Sequence, residues 1–395
     1  MTEPAPLPDQ RLASIDAYRG FVMLLMMAEV LHLDAVAQTQ AGSGWWGWLA
    51  GLQQHSLWTG CTLHDIIQPS FSFLVGVVLP FSLAGRWRPG EPVVGLAGHA
   101  LRRGLILVLL GVFLRSLGQA RTDWTFEDTL TQIGLGYPWL VGCALCRRRT
   151  QWTVFAVILL GYWAAWALYP VPGPDFDYTS LNVPPDWNER ATGLGAHWNM
   201  NANLGGAVDR YLLNLFPRAE PFIGHPEGYV TLSFIPTLGT MILGLLAGGW
   251  LRAGWSDRER VQRLVLVGAA GLILGSALHF GGICPVVKKI WTPAWTLFSG
   301  GLCCLLLAAF YAAIEGRGAR WAFALIVIGS NSIAAYCLAH LIEGFVAASL
   351  QTHLGAGFFA VLGEPYAPVL RGAAVLMVYW LILLWLYRRR LFLKV

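Results

Sequence analysis

The dominant pattern in the chain is a series of long apolar runs separated by short polar segments. A helix needs about 20 apolar residues to cross a bilayer. On that criterion the pattern predicts ten spans, at 17–35, 64–85, 101–118, 130–146, 152–170, 229–251, 262–281, 295–315, 321–341 and 368–387. We therefore predict an all-α fold, a polytopic membrane helix bundle of about ten transmembrane helices.

Two segments depart from this pattern. Residues 342–363 are apolar but contain Glu343, Gln351 and His353, so we interpret them as a re-entrant or surface-lying connection. The number of spans is ten on this interpretation and eleven if the segment crosses the membrane, and the sequence leaves this choice open. Residues 170–228 are rich in Pro, Asn, Asp and Trp and predict an ordered polar cap on the outer face. The chain 1–395 is then a single transmembrane domain with 170–228 as an external loop insertion.

Composition and charge support this interpretation. Apolar residues make up 56% of the chain and charged residues 12%, which is typical of integral membrane proteins. With the predicted spans, eighteen of the 27 Lys and Arg fall on one side and eight on the other. The positive-inside rule places both termini in the cytoplasm, and we expect the bacterial inner membrane. The basic residues occur in short groups between spans, so no nucleic-acid partner is predicted. A homodimer stays an open alternative.

A polar motif precedes the second predicted span. His55, Trp58, His64 and Asp65 lead directly into its apolar run. Ionisable groups in such positions are costly and point to function. Further polar residues sit at the outer ends of other spans, which predicts a polar pocket in the outer half of the bundle; these are Glu29, His32, Gln132, Glu227, Lys288, Lys289 and His340.

Several motifs together resemble the heparan-alpha-glucosaminide N-acetyltransferase family and its bacterial relatives. They lie at 11–20, 55–76, 130–137, 226–228, 285–295 and 329–340, so the resemblance covers almost the whole chain. It implies a helix bundle that transfers the acetyl group of acetyl-CoA to an amino sugar or similar polar acceptor at the outer face. The family's active histidine matches His55, which is followed by Trp58, Gly60, Asp65 and Pro69.

The chemistry of acyl transfer suggests roles for these residues. A thioester-to-amine or thioester-to-hydroxyl transfer needs a base or a nucleophile and donors for the oxyanion. Histidine can serve as either, so His55 is the central catalytic candidate, with Asp65 or Glu29 orienting its ring or balancing its charge. Whether His55 carries the acetyl group or only removes a proton stays open.

The remaining candidates bind the donor and the acceptor. Asn331 or Gln132 could donate to the oxyanion, and Lys288 with Lys289 could hold the phosphates of CoA, although interfacial lysines also snorkel without binding anything. The side from which CoA enters stays open. Trp58, Glu227 and His340 are candidates for acceptor binding, and no metal site is predicted.

Two other functions compete with the acyltransferase. A secondary transporter of a polar solute could use Glu29, His32 and Asp65 as an intramembrane proton relay. A structural membrane subunit would tolerate loss of His55 without a phenotype. Thioester-dependent release of CoA thiol supports the enzyme, whereas uptake into vesicles without CoA supports the transporter.

Overall fold

The computed structural model describes residues 12–40, 44–85, 92–315 and 318–393. Five of the basic residues that were counted for the positive-inside rule lie outside these ranges: Arg11, Arg86, Arg88, Arg317 and Lys394. Within the described ranges the chain is helical, with one isolated β-bridge and no strand, so the all-α fold is confirmed. The α-helices are α1 Ala13–Met27, α2 Leu33–Thr39, α3 Gly44–Gln53, α4 Ile67–Ala84, α5 Val93–Arg115, α6 Thr129–Ala144, α7 Arg148–Ala167, α8 Leu204–Leu212, α9 Phe234–Arg252, α10 Asp257–Phe280, α11 Pro293–Ile314, α12 Phe323–Ser330, α13 Ser332–Leu341, α14 Glu343–Leu354, α15 Ala356–Phe359 and α16 Ala367–Arg388.

The number of spans is smaller than the sequence predicts. By length and composition, six helical segments of the described chain could each cross a membrane, or eight if each of two bent helix pairs is one span, so about ten is not confirmed. Helix α6 has 16 residues and is about 24 Å long, less than the hydrocarbon thickness of about 30 Å. Helix α14 has 12 residues, about 18 Å, and is too short to span.

Two predicted spans are bent rather than straight. The first is interrupted at His32, which has a φ of 46°, and its two halves, α1 with its extension and α2, differ in direction by 42°. The ninth is interrupted at Asn331, where α12 and α13 meet at 67°. Neither break contains proline, so both result from local backbone geometry that apolar periodicity does not encode.

Close helix packing organises the centre of the bundle. A Cβ added to Gly76 on α4 would lie 1.9 Å from the Met241 carbonyl oxygen on α9, and one added to Gly329 on α12 would lie 1.9 Å from the Asp16 carbonyl oxygen on α1. Small residues at such positions let backbones approach closely, which is how membrane helices gain packing energy without a hydrophobic driving force. These contacts hold α4 against α9 and α1 against α12.

Residues 170–228, here called the cap, connect α7 to the 3₁₀ turn before α9 and contain α8. The cap packs through a buried aromatic cluster that includes Trp58, Trp166, Trp198, Trp291 and Trp295. The Trp58 indole N–H donates to the Trp198 carbonyl oxygen at 3.2 Å. Because Trp58 and Trp291 belong to the loops at 54–63 and 281–292, the cap holds both loops at one end of the bundle, the cap end.

Candidate active site

Two loops that are far apart in sequence are joined at the cap end. Thr59 and Val287 form an antiparallel bridge, and the Gly60 N–H donates to the Val286 carbonyl oxygen at 3.0 Å. Gly60 has a φ of 105°, a conformation that favours glycine. The bridge brings the segment that starts at His55 alongside the segment that carries the lysines.

His55, Asp65 and Lys288 form a hydrogen-bonded group here. The His55 Nδ1 lies 2.8 Å from the Asp65 Oδ1, and the Lys288 Nζ lies 3.2 Å from the same oxygen and 3.0 Å from the His55 Nδ1. The Asp65 Oδ2 accepts from the backbone N–H groups of Ser56 and Thr62 at 3.1 and 3.0 Å. Asp65 is completely buried and Lys288 is 4% exposed, whereas the His55 side chain is 38% exposed. The imidazole is thus the accessible member of the group.

The electrostatics of this group keep His55 neutral. Burial, with a contribution from the Lys288 charge, lowers the pKa of His55, although the Asp65 hydrogen bond opposes this shift. Burial also lowers the pKa of Lys288, against the attraction of Asp65. A carboxylate on Nδ1 favours the tautomer that carries its proton there, which leaves the lone pair on Nε2. In this tautomer Nδ1 cannot accept a hydrogen bond, so the Lys288 ammonium donates to Asp65 rather than to the ring. A neutral imidazole in this state can act as a base or as a nucleophile.

A second histidine lies against the first. The rings of His55 and His64 are 4.7 Å apart at their centroids, and the His64 Nε2 lies 2.8 Å from the Glu29 Oε1. Glu29 therefore reaches His55 through His64 rather than directly. No role for His64 was predicted from the sequence, although this residue lies within the polar motif that precedes the second predicted span.

These groups face a cavity of about 610 Å³ at the cap end. Five of the residues predicted for the site line this cap cavity: Glu29, His55, Glu227, Lys288 and His340. Asp65 is buried behind His55. The volume is in the range of pockets that hold small organic ligands.

Four predicted site residues are not among the residues lining the cap cavity. Trp58 belongs to the aromatic cluster under the cap, and Gln132 donates to the carbonyl oxygens of Phe126 and Thr231. Asn331 binds the C-terminal segment, donating to the Leu391 carbonyl oxygen and accepting from the Leu393 N–H. Lys289 lies 3.8 Å from the Glu227 carboxylate and 5.7 Å from the centre of the Tyr229 ring.

The cap cavity also contains ionisable residues that the sequence analysis did not select. The Glu127 carboxylate pairs with the Arg115 guanidinium and lies 3.7 Å from the His225 Nε2. Burial raises the pKa of Glu127 to about 7, and burial together with nearby positive charges lowers the pKa of His225 to about 4. The signal available in the sequence was the position of Glu127 directly before Asp128, which caps α6.

A second cavity of about 560 Å³, here called the basal cavity, adjoins the first. Both are lined by Phe71, Thr129 and Tyr336, and the basal cavity also contains Arg19 and Arg103. On α5, Arg103 lines the basal cavity and Arg115 the cap cavity, twelve residues or about 18 Å along the axis. The two cavities therefore open at different depths of the bundle and meet between them.

Among the described residues, no group of three or more His, Cys, Asp or Glu side chains is arranged to hold a metal ion. No family model matches the chain. It is similar to heparan-alpha-glucosaminide N-acetyltransferase of Homo sapiens and of Mus musculus, at 21% identity over 375 residues in each case. The match covers 85% of this chain and 53% and 54% of the two relatives, so the chain spans about half the length of the curated relatives it matches. The chain therefore shows a distant similarity to the heparan-alpha-glucosaminide N-acetyltransferases.

Proposed function

We propose that the protein is an integral membrane acyltransferase that moves the acetyl group of acetyl-CoA to an amino sugar or a similar polar acceptor in the cap cavity. The observation that carries the proposal is the His55, Asp65 and Lys288 group on the wall of a cavity of about 610 Å³. The similarity to N-acetyltransferases supports the same class of reaction.

In this proposal His55 acts on the acceptor through its Nε2. Asp65 fixes the Nδ1–H tautomer and stabilises the imidazolium that forms when Nε2 takes a proton. The buried Lys288 balances the charge of Asp65 and disfavours a resting imidazolium, because its ammonium lies 3.0 Å from the ring. Direct transfer needs no stored intermediate and is our default over an acetyl-histidine.

The placement of the cationic residues bears on where CoA binds. Lys288 and Lys289, the sequence-based candidates for its phosphates, are 4% and 8% exposed and each faces a carboxylate. A phosphate there would have to displace Asp65 or Glu227. Arg103 lines the basal cavity, which adjoins the cap cavity, and its Nη1 donates to the Tyr137 hydroxyl at 3.0 Å. Arg19 lines the same cavity but lies 3.6 Å from the Asp16 carboxylate, so Arg103 is the cation better placed for a phosphate. We therefore propose that the nucleotide lies at the basal cavity and that the pantetheine arm reaches His55 past Phe71 and Tyr336.

The test is acyl transfer by purified protein in detergent. With acetyl-CoA and glucosamine, we expect the wild type to release CoA thiol and form N-acetylglucosamine, and His55→Ala to abolish both. His353→Ala is the matched control, because His353 lies on α14 and does not line either cavity. Release of thiol by the His55→Ala variant at the wild-type rate would refute the role of the imidazole.

A secondary transporter remains the second candidate, because two cavities that meet inside the bundle would also suit a transport route. Proteoliposomes distinguish the two functions. Uptake of a labelled amino sugar without CoA, unaffected by acetyl-CoA, would favour transport. Acetylation of the sugar that strictly requires acetyl-CoA would favour the enzyme.

A further inference from the structure

The cap cavity contains a second ionisable group on a different wall from His55. Glu127 lies in the connection between α5 and α6, and its carboxylate is 7% exposed. It pairs with Arg115, whose Nε also donates to the Thr125 hydroxyl at 2.8 Å and lies 3.9 Å from Asp123. One guanidinium is thus shared among several oxygen atoms, and the Glu127 charge is only partly balanced.

His225 does not add a positive charge to this wall. The Glu227 N–H donates to the His225 Nδ1 at 3.0 Å, so Nδ1 carries a lone pair and the proton is on Nε2, 3.7 Å from the Glu127 Oε1. Burial lowers the pKa of His225 to about 4, which keeps the ring neutral at pH 7. The neighbours of Glu127 therefore leave its carboxylate able to exchange a proton with a ligand in the cavity.

The charges that line the cavity favour a cation. Carboxylates come from five lining residues, Glu29, Glu127, Asp128, Glu227 and Glu343, whereas Lys288 and Arg115 carry the lasting positive charges. An amine acceptor is a cation at neutral pH and cannot attack a thioester until it loses a proton. Conversion of an ammonium to an amide releases two protons from the nitrogen, and His55 accounts for one of them.

We propose that Glu127 is a second catalytic residue, which takes the first proton from the ammonium form of the acceptor. This inference rests on the proposed function. The carboxylate accepts a proton from R–NH₃⁺, and the free amine attacks the thioester carbonyl carbon. A C–N bond forms as the C–S bond breaks, His55 passes the second nitrogen proton to the departing sulfur to give CoA thiol, and Glu127 returns its proton to water. Glu127 takes the same part if His55 first carries the acetyl group.

The acid strength of Glu127 suits this task. Burial raises its pKa to about 7 and Arg115 opposes the shift, so an ionised carboxylate is available at neutral pH and its conjugate acid releases the proton readily. The titratable and charged groups that interact with it are Arg115, Asp123, Asp128, His225 and Tyr229. When an acceptor ammonium binds close to the Glu127 carboxylate, its positive charge balances part of the negative charge that Arg115 otherwise balances.

The experiment compares two nucleophiles in the full-length protein. Glucosamine is mostly an ammonium at pH 7 and that form needs the first deprotonation, whereas hydroxylamine is mostly uncharged at pH 7 and does not. Because a minor fraction of glucosamine is already free amine at this pH, for Glu127→Gln we expect kcat/KM for glucosamine to fall roughly sixfold at pH 7, and for hydroxylamine to change by less than about twofold. The loss for glucosamine should shrink as the pH rises and free amine accumulates. Glu127→Asp, which keeps a carboxylate, should retain more glucosamine activity than Glu127→Gln.

The matched control is Glu364→Gln, the same change at an exposed glutamate that lines neither cavity. Both reactions should stay within about twofold of the wild type. Equal losses for the two nucleophiles in Glu127→Gln, or full glucosamine activity at pH 7, would overturn the role of Glu127. If the wild type acetylates neither nucleophile, the proposed function itself fails, and this outcome is distinct from both.

Discussion

The pairing of Asp65 with Lys288 predicts that stability and activity can be separated by mutation. Asp65→Asn preserves the shape of the side chain but removes the charge that faces the Lys288 ammonium at 3.2 Å. Both residues are buried, so water cannot replace the lost partner. The single variant therefore leaves one buried charge uncompensated.

The magnitude follows from the distance. Two unit charges 3.2 Å apart attract by about 5 kcal/mol at an effective dielectric constant of about 20, and removal of one partner from a buried pair costs about 3–5 kcal/mol. At about 2 °C per kcal/mol, we expect Asp65→Asn to lower the Tm in detergent by roughly 6–10 °C. The difference in Tm between the wild type and Asp65→Asn should shrink from pH 6 to pH 9. The folded variant has a Lys288 pKa below that of the unfolded chain, so the loss of stability grows as the pH falls.

The double variant Asp65→Asn with Lys288→Met is the decisive comparison. It removes both charges, so we expect most of the lost Tm to return. Activity should stay about 10³–10⁴-fold below wild type, because no carboxylate fixes the Nδ1–H tautomer of His55. A double variant as unstable as Asp65→Asn would refute the charge argument. Recovery of acetyl transfer in the double variant would refute the orienting role of Asp65.

Three further outcomes are expected. Because burial and the Lys288 charge lower the pKa of His55, the imidazole NMR signal that disappears in His55→Ala should titrate below pH 6.5, and a midpoint above that value would contradict the assignment. Burial raises the pKa of Asp209 to about 6, so ionisation of this carboxyl destabilises the folded chain as the pH rises. In thermal melts, Asp209→Asn should be as stable as the wild type near pH 4 and more stable than the wild type at pH 8, by at most about 3 kcal/mol. Gly76→Ala should sharply reduce the yield of folded protein in size-exclusion chromatography, because its Cβ would lie 1.9 Å from the Met241 carbonyl oxygen.

The helical class was predictable from the sequence, whereas the continuity of the helices was not. Runs of about 20 apolar residues predict helices because every backbone polar group must be satisfied within the membrane. The same runs conceal the break at His32, because Leu31 and Leu33 on either side are apolar, and the break at Asn331, because the polar stretch 330–332 is only three residues long within an apolar run. Helix α6 differs little from its predicted span of 130–146: it begins at Thr129, after the Asp128 cap, and ends at Ala144.

The candidate site, too, was predictable from the sequence only in part. Proximity along the chain suggested that Asp65 could orient His55, because ten residues separate them. The contact of Lys288 with both depends on the bridge between Thr59 and Val287, and no local pattern specifies which loops meet across 223 residues. The pairing of Arg115 with Glu127 was hidden because Arg115 ends α5 and Glu127 stands in the connection that follows, where hydrophobic periodicity carries no information.

The buried charges of Asp65 and Lys288 reduce the stability of the folded chain. Each buried ion loses several kcal/mol of hydration, and a pair of apolar side chains in place of Asp65 and Lys288 would be as stable or more so. Asp65 is nevertheless held by the Ser56 and Thr62 backbone as well as by Lys288, so its position is fixed by more contacts than charge balance requires. Such a fixed carboxylate gives the adjacent His55 ring one tautomer and one orientation, and the lysine keeps that ring neutral until it takes a proton. In the proposed function, this arrangement prepares the His55 imidazole for proton transfer at the expense of stability.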